Sequence, residues 1–260
     1  MSTSPKLSED RLREVKEAKW FRITNLYEKH NGFQYVDGLN VDTVEFESDP
    51  RQACVPGGLN FTTREHVSDF YPYGIYLRVV RLPTEEDMRE FRKTKPDLPD
   101  FQMVYDPWNY KWRANMLILG RKYSLFDPKT YTLFGLDMPD IDSLCTGALI
   151  SATRDSYESF LLTIAEIRKN GRTMVPCEQL VNEAAFRGNL AILDYWWTEN
   201  RSTLRYSKEA LDIRVVFTRA GVYIPPDDPV LVWFRDHNLD IKCSYPIGRE
   251  GALVQRVSRL

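Results

Sequence analysis

Three histidines, His30, His66 and His237, and four cysteines, Cys54, Cys145, Cys177 and Cys243, are the side chains best suited to nucleophilic or metal chemistry, and no two of them stand at ligand spacing. A zinc centre of the familiar kinds is announced by short-range Cys or His pairs, so one assembled here would be wholly non-local. Cys54 would gain a general base only if the fold carried His30 or His66 to it. The sequence holds no Gly-x-Ser-x-Gly elbow, P-loop or Gly-x-Gly-x-x-Gly fingerprint, which removes the commonest hydrolase, NTPase and dinucleotide signatures. The densest run is Cys54-Val55-Pro56-Gly57-Gly58-Leu59-Asn60-Phe61-Thr62-Thr63. Its two glycines permit dihedrals, or a close approach, that any side chain would block; the simplest reading is a tight turn. Isolated His30 reads most simply as a loop histidine bonded to local backbone. Lys111 and Arg113 alternate with Trp112 and so share one strand face, solvated or anion-binding. Tyr76, Trp108 and Trp112 are core or interface aromatics, or the lining of a cleft for a planar ligand.

The elements that must position these residues are legible in outline. Ser8 is placed to cap a short charged helix running to Lys19. Trp20-Phe21-Arg22-Ile23-Thr24 reads as a strand, and Lys29 to Asn40 as a loop rich in turn residues. Thr63 is placed to cap a brief helix ending near Pro72, and Ile75 to Leu82 reads as a central strand. Thr84 followed by Glu85, Glu86 and Asp87 starts a helix with its acids set against the dipole. Phe101 to Tyr105 and Lys111 to Leu119 read as two further strands, for about five in all. After Pro139 the apolar spacing turns helical, and Ala152 and Leu161 stand 32 residues before Ala184 and Leu193. That interval is close to the ankyrin period of about 33 residues. Leu231 and Phe234 answer Leu193 and Trp196 at an offset of 38, which implies an insertion near Pro225-Pro226. The expected fold class is α+β: a mixed α/β domain over residues 1 to 140, then a degenerate ankyrin-like helical domain over 141 to 260.

With 43% apolar and 13% aromatic residues the chain can bury a core. The net charge of −2 comes from acids and bases mixed along the chain, so nucleic acid is not an expected partner. No stretch approaches the roughly 18–20 apolar residues that span a bilayer, and Met1 to Asp10 lacks the apolar core of a secretion signal. The expectation is a cytoplasmic or nuclear protein with free thiols, no membrane partner and no metal.

Several blocks resemble a known family: His30-Asn31-Gly32-Phe33-Gln34-Tyr35, Asp37-Gly38-Leu39-Asn40, Cys54-Val55-Pro56-Gly57-Gly58-Leu59, Tyr73-Gly74-Ile75-Tyr76-Leu77-Arg78 and Lys111-Trp112-Arg113-Ala114-Asn115. Together they are similar to the N-terminal domain of the ankyrin repeat proteins of mimivirus-type giant viruses. That resemblance covers Trp20 to Leu125; Thr84 to Asp100 departs from it as an insertion, and Asn60 stands where an aromatic is expected. It implies an architecture and no chemistry. A second similarity is to the ADP-ribosyltransferase fold, with Arg22 or His30 as its first catalytic element. Gly58, Asn60 and Tyr76 would then hold the cofactor NAD, and Glu85 or Glu86 would be the nearest candidate carboxylates. The expected function is a non-catalytic interaction or adaptor protein that binds a protein partner through the helical surface and needs no cofactor. The alternative is an ADP-ribosyltransferase-like enzyme or NAD-binding relative.

Overall fold

The computed structural model describes residues 17–30, 32–52, 55–201, 204–218 and 221–248. The helix expected from Ser8 falls, up to residue 16, outside the described residues, as does Cys54. Contacts divide the chain into two compact units, Met1–Ala148 and Leu149–Leu260.

Among the described residues of the first unit nine strands form: β1 Trp20–Thr24, β2 Lys29–His30, β3 Phe33–Gln34, β4 Gly38–Val41, β5 Leu59–Thr63, β6 Tyr76–Arg81, β7 Met103–Asp106, β8 Lys111–Ala114 and β9 Met116–Ser124. Seven of them make one sheet in the order β4-β9-β6-β1-β5-β8-β7, and β2 and β3 pair separately as a hairpin. Every neighbouring pair in the large sheet is antiparallel. Side chains alternate across a strand, so β1 sends Phe21 and Ile23 to one face and Trp20 and Arg22 to the other. The first face is covered by a 3-10 helix Val67–Tyr73 and by α2, Pro128–Phe134, whose Tyr131 and Phe134 pack with Leu77, Val79 and Tyr123. On the second face Leu59, Phe61, Val80, Leu117 and Leu119 are closed over by Tyr35 and Phe33. Helix α1, Glu85–Thr94, buries Met88 with Leu98 and Met116. Thr84 caps it in a reciprocal box with Asp87, whose carboxyl Arg81 holds well below the usual carboxylate range.

Two local expectations change. Lys111 to Leu119 is two strands, because Asn115 spends its polar groups sideways: its N–H donates to the Gln102 carbonyl at 3.1 Å, and its Nδ2 to the Asp100 carbonyl at 2.7 Å. The break frees β8 to pair with β5 and β7, and β9 to pair with β4 and β6. The segment expected as loop, Lys29 to Asn40, contains β2, β3 and most of β4. Its buried Asn40 takes the Val36 and Gly38 carbonyls with Nδ2 at 2.8 and 2.9 Å, so the turn residues fold onto one amide and the strand edge is free to meet β9.

Beyond the sheet the chain forms α3 Ile141–Asp155, α4 Tyr157–Lys169, α5 Glu178–Phe186, α6 Leu190–Asn200, α7 Glu209–Asp212 and α8 Pro229–Asp236. Gly188, at φ +66°, makes the turn between α5 and α6, and Asn189 caps α6 by accepting from the Ile192 N–H at 3.2 Å. In the second unit α4 packs on α6 and α6 on α8, while α5 packs on α6 and α7. The 32-residue offset is a packing offset: Leu149 and Val181, Ala152 and Ala184, Phe160 and Ile192, and Ile164 and Trp196 are all buried. Leu161 departs from it, 37% exposed where Leu193 is fully buried, so Phe160 and Ile192 carry the equivalence. In the last pair Ala210 and Leu211 answer Leu180 and Val181 at an offset of 30, and the second helix at 38. The difference of eight matches the interval 216–223, which contains the paired strands β10 Val216–Thr218 and β11 Gly221–Tyr223 just ahead of Pro225-Pro226. Among the described residues no helix is long and apolar enough to cross a membrane.

Candidate functional site

Arg22 and Arg78 stand directly opposite each other on β1 and β6, on the face covered by the β2–β3 hairpin, and both are buried. Arg78 is matched: its Nη1 lies 2.5 Å from Glu28 Oε1 and its Nη2 bonds Asp37, while Lys122 Nζ sits 3.9 Å from the same glutamate. Glu28 takes φ +55°, and Tyr35 N–H donates to its carbonyl at 2.7 Å, so this ion pair pins the hairpin to the sheet. Arg22 is served differently. Its Nη1 donates to the Asn60 carbonyl, its guanidinium carbon lies 4.0 Å from the Tyr35 ring centroid, and its Nε has no acceptor among the described residues. Burial pushes its pKa down.

The structure brings His30 into the same neighbourhood. The residue is exposed at the surface, yet partial burial of its ring, then the charge on Arg22, then that on Lys111, push its pKa down to about 4. Tyr76 lies opposite Thr24 with Lys122 Nζ 4.8 Å from its ring centroid, and so belongs with the Glu28–Arg78 group. Asn60 lends Arg22 only its carbonyl, since alternation from Phe21–Thr62 puts its amide on the opposite face, beside Arg113. Gly58 is committed elsewhere. Its N–H donates to Asp42 Oδ2 at 2.7 Å, and a Cβ there would come within 2.2 Å of Arg113 Cγ. Arg113 needs that space because its guanidinium gathers the carbonyls of Gln52 at 2.6 Å, Glu47 at 2.7 Å and Asp49 at 3.0 Å. The Gly57-Gly58 run therefore anchors the loop before β5.

The remaining chemistry is dispersed. Glu85 and Glu86 lie in the first turn of α1, as dipole partners. His66 stacks on Tyr110 with centroids 4.5 Å apart, and His237 stacks on Trp233 in the other unit at 4.2 Å. Cys145, Cys177 and Cys243 are free thiols, and the described residues hold no His, Cys, Asp and Glu group able to bind a metal. Glu28 is the carboxylate that spacing rules missed, because no motif marks a glutamate whose role depends on a left-handed turn. Arg78 sat inside a family-like block and was not singled out; Lys111 and Arg113, expected on a solvated or anion-binding face, are both buried, and Arg113 is spent on backbone carbonyls.

The helical unit carries a second kind of site. Phe186 ends α5, Ile213 follows the end of α7 and Val216 opens β10, and the three are 49%, 37% and 39% exposed. Arg187 lies over the Phe186 ring at 5.0 Å, and a Cβ on Gly188 would come within 3.8 Å of Arg214, so the two turns are neighbours.

Comparison with known proteins adds three relatives, all from Acanthamoeba polyphaga mimivirus. "Putative ankyrin repeat protein R868" is 44% identical over 112 residues, 43% of this chain and 50% of that protein. "Uncharacterized protein R869" is 42% identical over 122 residues, 46% of this chain and 79% of that protein. "Putative ankyrin repeat protein R896" is 32% identical over 157 residues, 60% of this chain and 43% of that protein. The match thus spans about half the length of R868 and most of R869. No protein-family model and no solved structure matches the chain.

Proposed function

This chain belongs to the mimivirus protein family of R868 and R869, and from that premise we propose that it is a non-catalytic interaction protein, an adaptor whose ankyrin-like helical surface holds another protein. One observation carries the reading: α4, α6 and α8 pack as a ladder of second helices while α5 and α7 pack as first helices. Such stacks spend their apolar faces on neighbouring repeats and present turns and first helices outward. Side-chain ties fix the ladder, with Arg168 Nη2 2.7 Å from Glu199 Oε2 and Trp233 Nε1 donating to Asp194 Oδ1 at 2.6 Å. Phe186, Ile213 and Val216 form the exposed apolar edge that a partner would cover. The test uses the full chain as bait in extract of the cells that make it, beside a Phe186→Ala/Ile213→Ala variant of equal thermal stability. A partner held by the native chain and lost by the variant supports the reading; equal capture by both moves the interface elsewhere.

The shared neighbourhood of Arg22 and His30 favours a second reading, an NAD-binding relative of the ADP-ribosyltransferases. NAD⁺ at a hundred times its dissociation constant would stabilise the fold by about 2.7 kcal/mol. A thermal titration that shows no such shift, or one that His30→Ala leaves untouched, removes it.

A further inference from the structure

We propose that Arg22, with His30 at the rim, forms a binding site for an oxyanion, a phosphoryl group above all, beneath the β2–β3 hairpin. Three arginines of this unit are buried, Arg22, Arg78 and Arg113, and each leaves its Nε without an acceptor among the described residues. Two are otherwise served: Arg78 meets the carboxylates of Glu28 and Asp37, and Arg113 meets three backbone carbonyls. Arg22 has one carbonyl and the face of Tyr35, and no carboxylate partner among the described residues. A buried guanidinium without an anion is costly, and a buried polar atom without a partner calls for a water, an ion or a ligand.

The open side of Arg22 has the right shape. Asn60 occupies Nη1, which leaves the edge running from Nε to Nη2, the fork that takes two oxygens of a carboxylate or phosphate in parallel bonds. His30 is uncharged at neutral pH and so offers a ring N–H donor. A guanidinium fork and a neutral donor together suit the several oxygens of a phosphoryl group better than the two of a carboxylate. Arg22 is 6% exposed and its Nε is buried, so a ligand would reach it only by displacing the Tyr35 ring that covers the guanidinium.

The phosphoryl group has two sources, free phosphate or a nucleotide. The site shares Arg22 and His30 with the NAD reading but does not depend on it. In the full chain, inorganic phosphate, pyrophosphate and NAD⁺ are each compared with chloride at matched ionic strength, following the His30 ring titration and the backbone amide spectrum. Phosphate is expected to raise the His30 midpoint from about 4, because the bound anion offsets Arg22 and Lys111, and to move the amide signals of Arg22, His30 and Asn60 first. Arg22→Gln should abolish both effects. Should that variant fail to fold, exposed His30→Gln keeps the fold and should weaken the phosphate response several-fold. An unchanged His30 midpoint in phosphate and pyrophosphate, or amide shifts centred elsewhere, overturns the site. Binding of phosphate with silence in NAD⁺ supports the site and sinks the NAD reading alone.

Discussion

At the scale of single residues the chain shows charge and space assigned to specific backbone conformations. Gly58 sits at φ +146° with Arg113 passing where a Cβ would stand, so Gly58→Ala displaces the arginine from its three carbonyls. We expect a loss of about 2–4 kcal/mol, read by urea unfolding, because backbone strain and unpaired buried groups add. Gly38→Ala is a useful contrast: at φ +84° nothing lies within 4 Å, so only the dihedral penalty of roughly 1 kcal/mol remains. His30 supplies a pH dependence whose sign follows from its depressed pKa. The unfolded chain takes up the imidazole proton near 6.5 and the folded chain only near 4, so this residue's contribution to stability falls as pH drops between those values and stays level below them. Thermal midpoints of wild type and His30→Gln should converge toward neutral pH and diverge in favour of the variant toward pH 4. The sequence singled out Arg22, His30 and the glycines by residue type and position alone. Their partners were hidden, because Asp42 reaches Gly58 across 16 residues and Arg113 reaches Glu47 across 66, and no local rule sees such pairs.

At the scale of elements, strand β1 and helices α1, α5 and α6 were legible because periodicity, caps and turn residues agreed. Thr84 as cap and Gly188-Asn189 as turn are local chemistry, read directly from residue type. Strand β4 was not, since Gly38 and Asn40 are turn residues by propensity and become strand only through pairing with β9. The same holds for Asn115, which splits one apparent strand into two by bonding sideways. Packing between elements sets the next prediction. In α3 a Cβ at Gly147 would fall 2.6 Å from Pro72 Cα of the 3-10 helix, so Gly147→Ala should destabilise the first unit although Ala is the better helix former. In the ladder Trp196 is fully enclosed against Phe160, with centroids 5.3 Å apart. Trp196→Ala should cost about 3–5 kcal/mol by calorimetry, because a large ring leaves a cavity that backbone-linked helices cannot fill.

For the whole molecule, two compact units of different construction share one chain, an antiparallel sheet with helices on one face and a helix-pair stack. Sequence carried the turn to helical apolar spacing after Pro139 and, as a change of offset, the insertion in the last pair. Which surface the stack leaves for a partner was not visible, because Phe186 and Ile213 read as ordinary helical apolar residues until neighbouring helices are in place. On the proposed reading a partner covers the exposed edge of the stack. The decisive measurement is hydrogen exchange of the full chain, alone and with its captured partner. New protection is expected at the ends of α5 and α7 and in β10, around Phe186, Ile213 and Val216, with little change in β5 and β8. Protection confined to the sheet unit, with those turns exchanging as before, would contradict it.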